Sequence, residues 1–233
     1  MEDFLQFVLP IVGLMLAALL GQYLRKRRAL AVVDNMPEYA QRKEYLRTIK
    51  EMRKKGSSQP AIKAQLVEQG LLKGVADVLI NHVELQQDPD LLHPKSKTWG
   101  RISFNYPGNW KVEPLVAGSE EHGISVDGTS GCGILLVKVI DTVATEKYQQ
   151  EFIAKLKDVK KEPVKSYHDL PFSGTRHNGI DRANKVPTSI DVLTASIGEE
   201  KIMLVEIRSE EDEELDGQGL DLVGTSMRID IIT

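Results

Sequence analysis

The stretch "ISFNYPGNWKVE", residues 102–113, decides how the second half of this chain is read. Ile102, Phe104 and Tyr106 alternate with Ser103 and Asn105, the period of a half-buried strand. "PGN" then turns the chain, and "WKVE" opens the next strand. Trp110, placed directly after the turn, is expected to plug the core on the face shared by Ile102, Phe104 and Tyr106.

Downstream the same period returns. "GISVDG" and "GCGILLVKVID" read as strands, the second apolar enough to be central. "TVATEKYQQEFIAKLKDVKKE" (142–162) reads as an amphipathic helix. Thr145 is its cap and Tyr148, Phe152 and Leu156 are its buried stripe. Further strands are expected near 164–176, 189–197 and 201–208, the last two paired as a hairpin through "IGEEK". A solvated acidic loop, "SEEDEELDGQG", should lead to a short helix near 219–227 with Leu220, Val223 and Met227 inward. Neighbouring strands with one long and one terminal helix predict an α+β fold, an antiparallel sheet covered by helices.

In order and pattern this part resembles the PsbP-like fold group. The resemblance rests on "ISFNYPGNWKV", the "YQQEFIAKLK" helix, the paired "VLTASIGEEKIMLVEI" and the ending "LVGTSMRI". Tyr106, Pro107 and Trp110 carry its signature, and it covers residues 99–233. It implies a non-enzymatic protein-interaction or assembly module.

The N-terminal end is of another kind. "FLQFVLPIVGLMLAALLGQYL", Phe4 to Leu24, holds no charged residue. At about 1.5 Å per residue it would cross the roughly 30 Å hydrocarbon core of a bilayer. Arg25, Lys26, Arg27 and Arg28 follow at once, whereas Glu2 and Asp3 precede it. That order is the reverse of a cleaved signal peptide. A retained single-pass anchor over residues 1–28 is therefore expected, with the N-terminus outside and the soluble parts in the cytoplasm. The lone cysteine, Cys132, excludes an internal disulfide and suits a reducing compartment.

Between anchor and sheet, residues 35–84 carry helix punctuation. Asn35 is a candidate cap, with Pro37 in the first turn and Tyr39, Leu46, Ile49 and Met52 at helical spacing until Gly56. Ser58 caps a second helix bearing Ile62 and Leu66, stopped by Gly70. A third carries Val75, Val78, Leu79 and Val83. This pattern resembles short helical modules such as ubiquitin-associated domains. Residues 85–98 read as a linker.

The net charge of −4 divides unevenly. Residues 25–87 hold 13 Lys and Arg against 7 Asp and Glu, whereas residues 88–233 hold 17 against 25. The basic part belongs against anionic headgroups. Nucleic acid is not an expected partner, because no helix rich in Arg, Asn or Gln follows Arg53, Lys54 and Lys55. Candidate chemistry is sparse. Cys132 with His168 or His177 as base could make an enzymatic or small-ligand site. His168, Asp169 and His177 match no metal spacing, and Glu210 to Asp216 lack that of a calcium loop. No cofactor is expected. The expected function is that of a membrane-anchored, protein-binding module, with the Cys132–His168 site as the alternative.

Overall fold

The computed structural model describes residues 35–128, 132–139, 142–183, 185–211 and 213–230. The expected anchor and the stop Arg25, Lys26, Arg27 and Arg28 lie outside these residues. Among the described residues no helix is long and apolar enough to cross a membrane.

Three helices come first: α1 (Tyr39–Lys54), α2 (Gln59–Glu68) and α3 (Lys73–Leu85). Each of the first two ends in a Schellman motif. In the first, Ser57 N–H donates to Met52 O and Gly56 N–H to Arg53 O; in the second, Leu71 donates to Leu66 and Gly70 to Val67. That geometry needs a left-handed residue, which is why glycine stands there: Gly56 has φ +78° and Gly70 φ +94°. The three helices close on Tyr45, Leu46, Ile49, Ile62, Leu66, Val75, Leu79 and Ile80. Two details differ from expectation. α1 begins at Tyr39, after Pro37, and Val78 is exposed while Ala76 and Ile80 are buried.

The remainder forms two antiparallel sheets. β1 (Lys95–Trp99), β2 (Ile102–Tyr106) and β10 (Arg228–Ile229) make a small one in the order β1-β2-β10. The large one holds β3 (Lys111–Val116), β4 (Ser119–Asp127), β5 (Gly133–Val139), β6 (Leu156–Val164), β7 (Ser173–Asp181), β8 (Pro187–Ile197) and β9 (Glu200–Ser209). Their spatial order is β3-β4-β5-β9-β8-β7-β6. After β5 the chain crosses one face through α4 (Thr142–Ile153), starts again at the far edge with β6, and returns until β9 pairs with β5. α5 (Glu213–Ser226) lies on the other face, against β2 and β9.

The alternation in β9 shows why both faces are filled. Ile202 and Leu204 belong to the core beneath α5 and the small sheet, whereas Met203 and Val205 belong to the core beneath α4. Trp99, Ile102, Phe104, Trp110, Leu220, Val223 and Met227 complete the first core.

Three expectations need correcting. "PGN" does not close a hairpin: it passes the chain from the small sheet to the large one, since β2 pairs with β1 and β10 while β3 pairs with β4. Residues 95–98, expected as linker, are strand, because an edge strand needs only Trp99 inward and leaves Lys95 and Lys97 to solvent and partners. The long helix ends at Ile153, and Leu156 is buried in β6 instead. β6 is an edge strand guarded by lysines, Pro163 and a register shift between Lys157 and Lys160, and such a composition imitates an exposed helix face.

Candidate functional site

The opening residues prove to be packing groups. Pro107 is buried and Trp110 is only 3% exposed, both against α5 at Gly219. A Cβ added at Gly219 would lie 2.3 Å from Trp110 Cζ2 and 3.0 Å from Pro107 Cγ. Tyr106 is half-buried, its ring centroid 6.3 Å from that of Phe104.

The Cys132–His168 pair is not assembled. Cys132 is buried, its sulfur accepting from Ser209 N–H at 3.3 Å. Gly128, whose N–H donates to Cys132 O at 3.2 Å, abuts Asp216 in the N-terminal half of α5. His168 sits in the β6–β7 turn, edge-on to Tyr167 and packed on Gly224. Asp216 and Gly224 are eight residues apart on one helix, a rise of about 12 Å. His177 belongs to the opposite face, near Gln149 of α4. No group of three metal-ligating side chains occurs among the described residues.

The acidic run is also not a free loop. Glu211 pairs with Arg42 of α1, Glu210 pairs with Lys43, and Glu213 already opens α5. Lys185 donates to Met36 O at 3.0 Å and lies 3.4 Å from Glu38. The helical module is thus docked on the sheet domain.

Beside that dock the α5 face of the large sheet turns polar. Cross-strand register sets Arg176, Asp191 and Glu206 in one row over β7, β8 and β9, and Asn178, Ser189 and Arg208 in the next. Asp191 and Glu206 are 3% and 2% exposed, so each needs a partner to offset several kcal/mol of lost hydration. Arg176 grips Asp191 with two bonds of 2.7 and 2.8 Å. Glu206 accepts from Tyr167 Oη at 2.5 Å and from Arg208 Nε, while Arg208 Nη2 reaches Asp221 at 3.1 Å.

These contacts shift the titrating groups. Burial, then the charge and hydrogen bond of Glu206, push the Tyr167 phenol well above its usual range. The bond to Asp191 raises Arg176. Burial works against the charge on Arg208, but Glu206 and Asp221 outweigh it and raise that group too. Both arginines stay charged and fixed in plane. They line an open concavity of about 540 Å³ with Asn178, Ser189, Glu210 and Glu213.

Sequence reasoning missed this row, yet a signal existed. Glu206 follows Ile202 and Leu204 at period two, so it points inward with them, and an inward charge marks a special position.

His177 supplies a separate prediction. It is fully buried, and its Nδ1 has no hydrogen-bond partner among the described residues. Burial lowers its pKa below the ordinary 6.5, and the cross-strand Lys161 adds to this. The unfolded chain therefore binds this proton more readily than the folded one. Stability should fall as pH drops through about 6.5 and continue to fall to the lower folded value, by at most about 1.4 kcal/mol per pH unit. His177→Gln should remove that part of the slope in urea midpoints at pH 7.5, 6.5 and 5.5. Parallel slopes for wild type and variant would refute the assignment.

A scan of protein-family models finds no match, and a search of curated proteins finds none either. Among solved structures the chain is similar to cyanobacterial PsbP from Synechocystis sp. PCC 6803, at 8% identity and a TM-score of 0.36. That match covers 59% of this chain and 92% of that one. It is also similar to LpqN of Mycobacterium tuberculosis, a protein involved in cell envelope biogenesis. Here identity is 12% and the TM-score 0.35, over 59% of this chain and 90% of that one.

Proposed function

We propose that this protein is a single-pass, membrane-anchored, non-enzymatic interaction module that binds a protein partner through the open polar face of its large sheet. Residues 4–24 form the anchor, the N-terminus lies outside, and the helical module and sheet domain lie in the cytoplasm. One observation carries the binding role. The concavity beside α5 is lined by Arg176 and Arg208, each held in place by a buried carboxylate. A rigid, half-desolvated set of donors on a sheet is the arrangement that recognition of a polar partner requires. The enzymatic alternative loses its support because Cys132 and His168 have separate surroundings.

A photo-reactive residue at Asn178, in the wall of the concavity, should trap a defined partner in intact cells. The same residue at exposed Glu121 on β4 should not. Equal adducts from both positions, or none from Asn178, would refute the proposed face. In the same cells, Ser58→Cys in a Cys132→Ser background should react with a membrane-impermeant maleimide only after lysis. Reaction in intact cells would reverse the topology.

A further inference from the structure

We propose that the concavity reads a partner segment in which a side-chain carboxylate stands next to a basic residue. This rests on the sheet face being an interaction surface, and it assigns the chemistry read there.

Arg176 spends Nε and Nη2 on Asp191, and Arg208 spends the same atoms on Glu206 and Asp221. The Nη1 group of each has no hydrogen-bond partner among the described residues. Two guanidinium edges therefore remain on one wall of the concavity. A carboxylate received there meets forks already fixed in plane, so little side-chain entropy is lost on binding. Ser189, in register with Asn178 on one side and Arg208 on the other, adds a hydroxyl between them.

The rim is acidic. Glu210 is partnered by Lys43 at 3.1 Å, but Glu213 is exposed. An isolated anion would meet these charges within the roughly 10 Å over which salt leaves them unscreened. A segment that brings its own ammonium or guanidinium satisfies both the arginine wall and the rim. The net acidity of residues 88–233 favours the same choice, because it steers partners with basic groups.

The test uses the full chain in detergent micelles with 15N-labelled arginine, following the Nε–Hε signals of Arg176 and Arg208. The probes are acetyl-aspartyl-lysine amide, acetyl-asparaginyl-lysine amide and acetyl-aspartyl-norleucine amide. The first should shift both signals saturably, and each of the others should bind about three-fold more weakly, as expected for losing one partly exposed ion pair. Ser189→Ala, a mild change, should weaken the first probe without altering thermal stability. Equal binding of the first two probes would overturn carboxylate recognition, and equal binding of the first and third would overturn the need for a cation. If no probe binds while Asn178 still traps a partner, this chemistry is wrong and the interaction face stands. If both fail, both fall.

Discussion

Trp110→Ala should lower the thermal unfolding midpoint of the full chain in detergent micelles by roughly 10 °C. Removing a buried tryptophan costs about 3–5 kcal/mol, and a protein of this size loses about 2–4 °C per kcal/mol. The site has little room to collapse, because Trp110 and Pro107 both pack closely on α5 at Gly219. Trp110→Phe separates shape from chemistry. The indole Nε1 is buried with no hydrogen-bond partner among the described residues, so phenylalanine gives up some contact area but also removes an unsatisfied donor. It should cost less than half as much as alanine. Gly219→Ala should destabilise by about 1–3 kcal/mol, since its methyl would overlap the ring. A Trp110→Ala midpoint within 2 °C of wild type would show that α5 is not seated through this ring.

Much of the architecture could be read from period and punctuation. Ile102, Phe104, Leu220, Val223 and Met227 lie in the core, and β8 and β9 pair through a two-residue turn at Gly198. Two of the misreadings share one physical reason. Edge strands must be charged and twisted to avoid pairing with other chains, and β1 and β6 are lysine-rich edges. Lys95–Thr98 therefore looked like linker and residues 156–162 like helix. The passage from β2 into the other sheet was also hidden, because local residues dictate a turn but not which strand receives the chain.

The site was legible only in part. Lacking a metal spacing, His168, Asp169 and His177 read as surface-loop residues; the first two do lie in a tight turn closed by Tyr167 and Leu170, with φ of 48° and 64°, but His177 is buried within β7. The arginine wall was not found, because its members are scattered from Tyr167 to Asp221 and meet only when register aligns β7, β8 and β9. No short motif encodes such a row. Its trace is a charge at an inward position, Asp191 in "SIDVLTASI" and Glu206 in "IMLVEIR".

Glu211→Ala should cost about 3–5 kcal/mol, which makes it the second large effect. Glu211 and Arg42 are 7% and 4% exposed at the side chain, one on the sheet domain and one on α1, joined by two hydrogen bonds. Deleting the carboxylate removes the Glu211 counter-charge from a guanidinium that is itself buried, the situation in which a buried pair is expensive to break. Replacing both partners by apolar residues of similar volume, Arg42→Met with Glu211→Leu, should restore most of the loss, because desolvation then disappears with the charges. Lys43→Ala is the internal contrast. Its pair with Glu210 is about half exposed on both sides, and such pairs are worth less than about 1 kcal/mol. A large loss for Glu211→Ala, rescue in the double variant and near neutrality for Lys43→Ala would together define a buried interface joining module and sheet domain. A loss below about 1 kcal/mol for Glu211→Ala would mean that the module is not docked through this pair in solution, and the fixed rim that Lys43 gives the concavity at Glu210 would go with it.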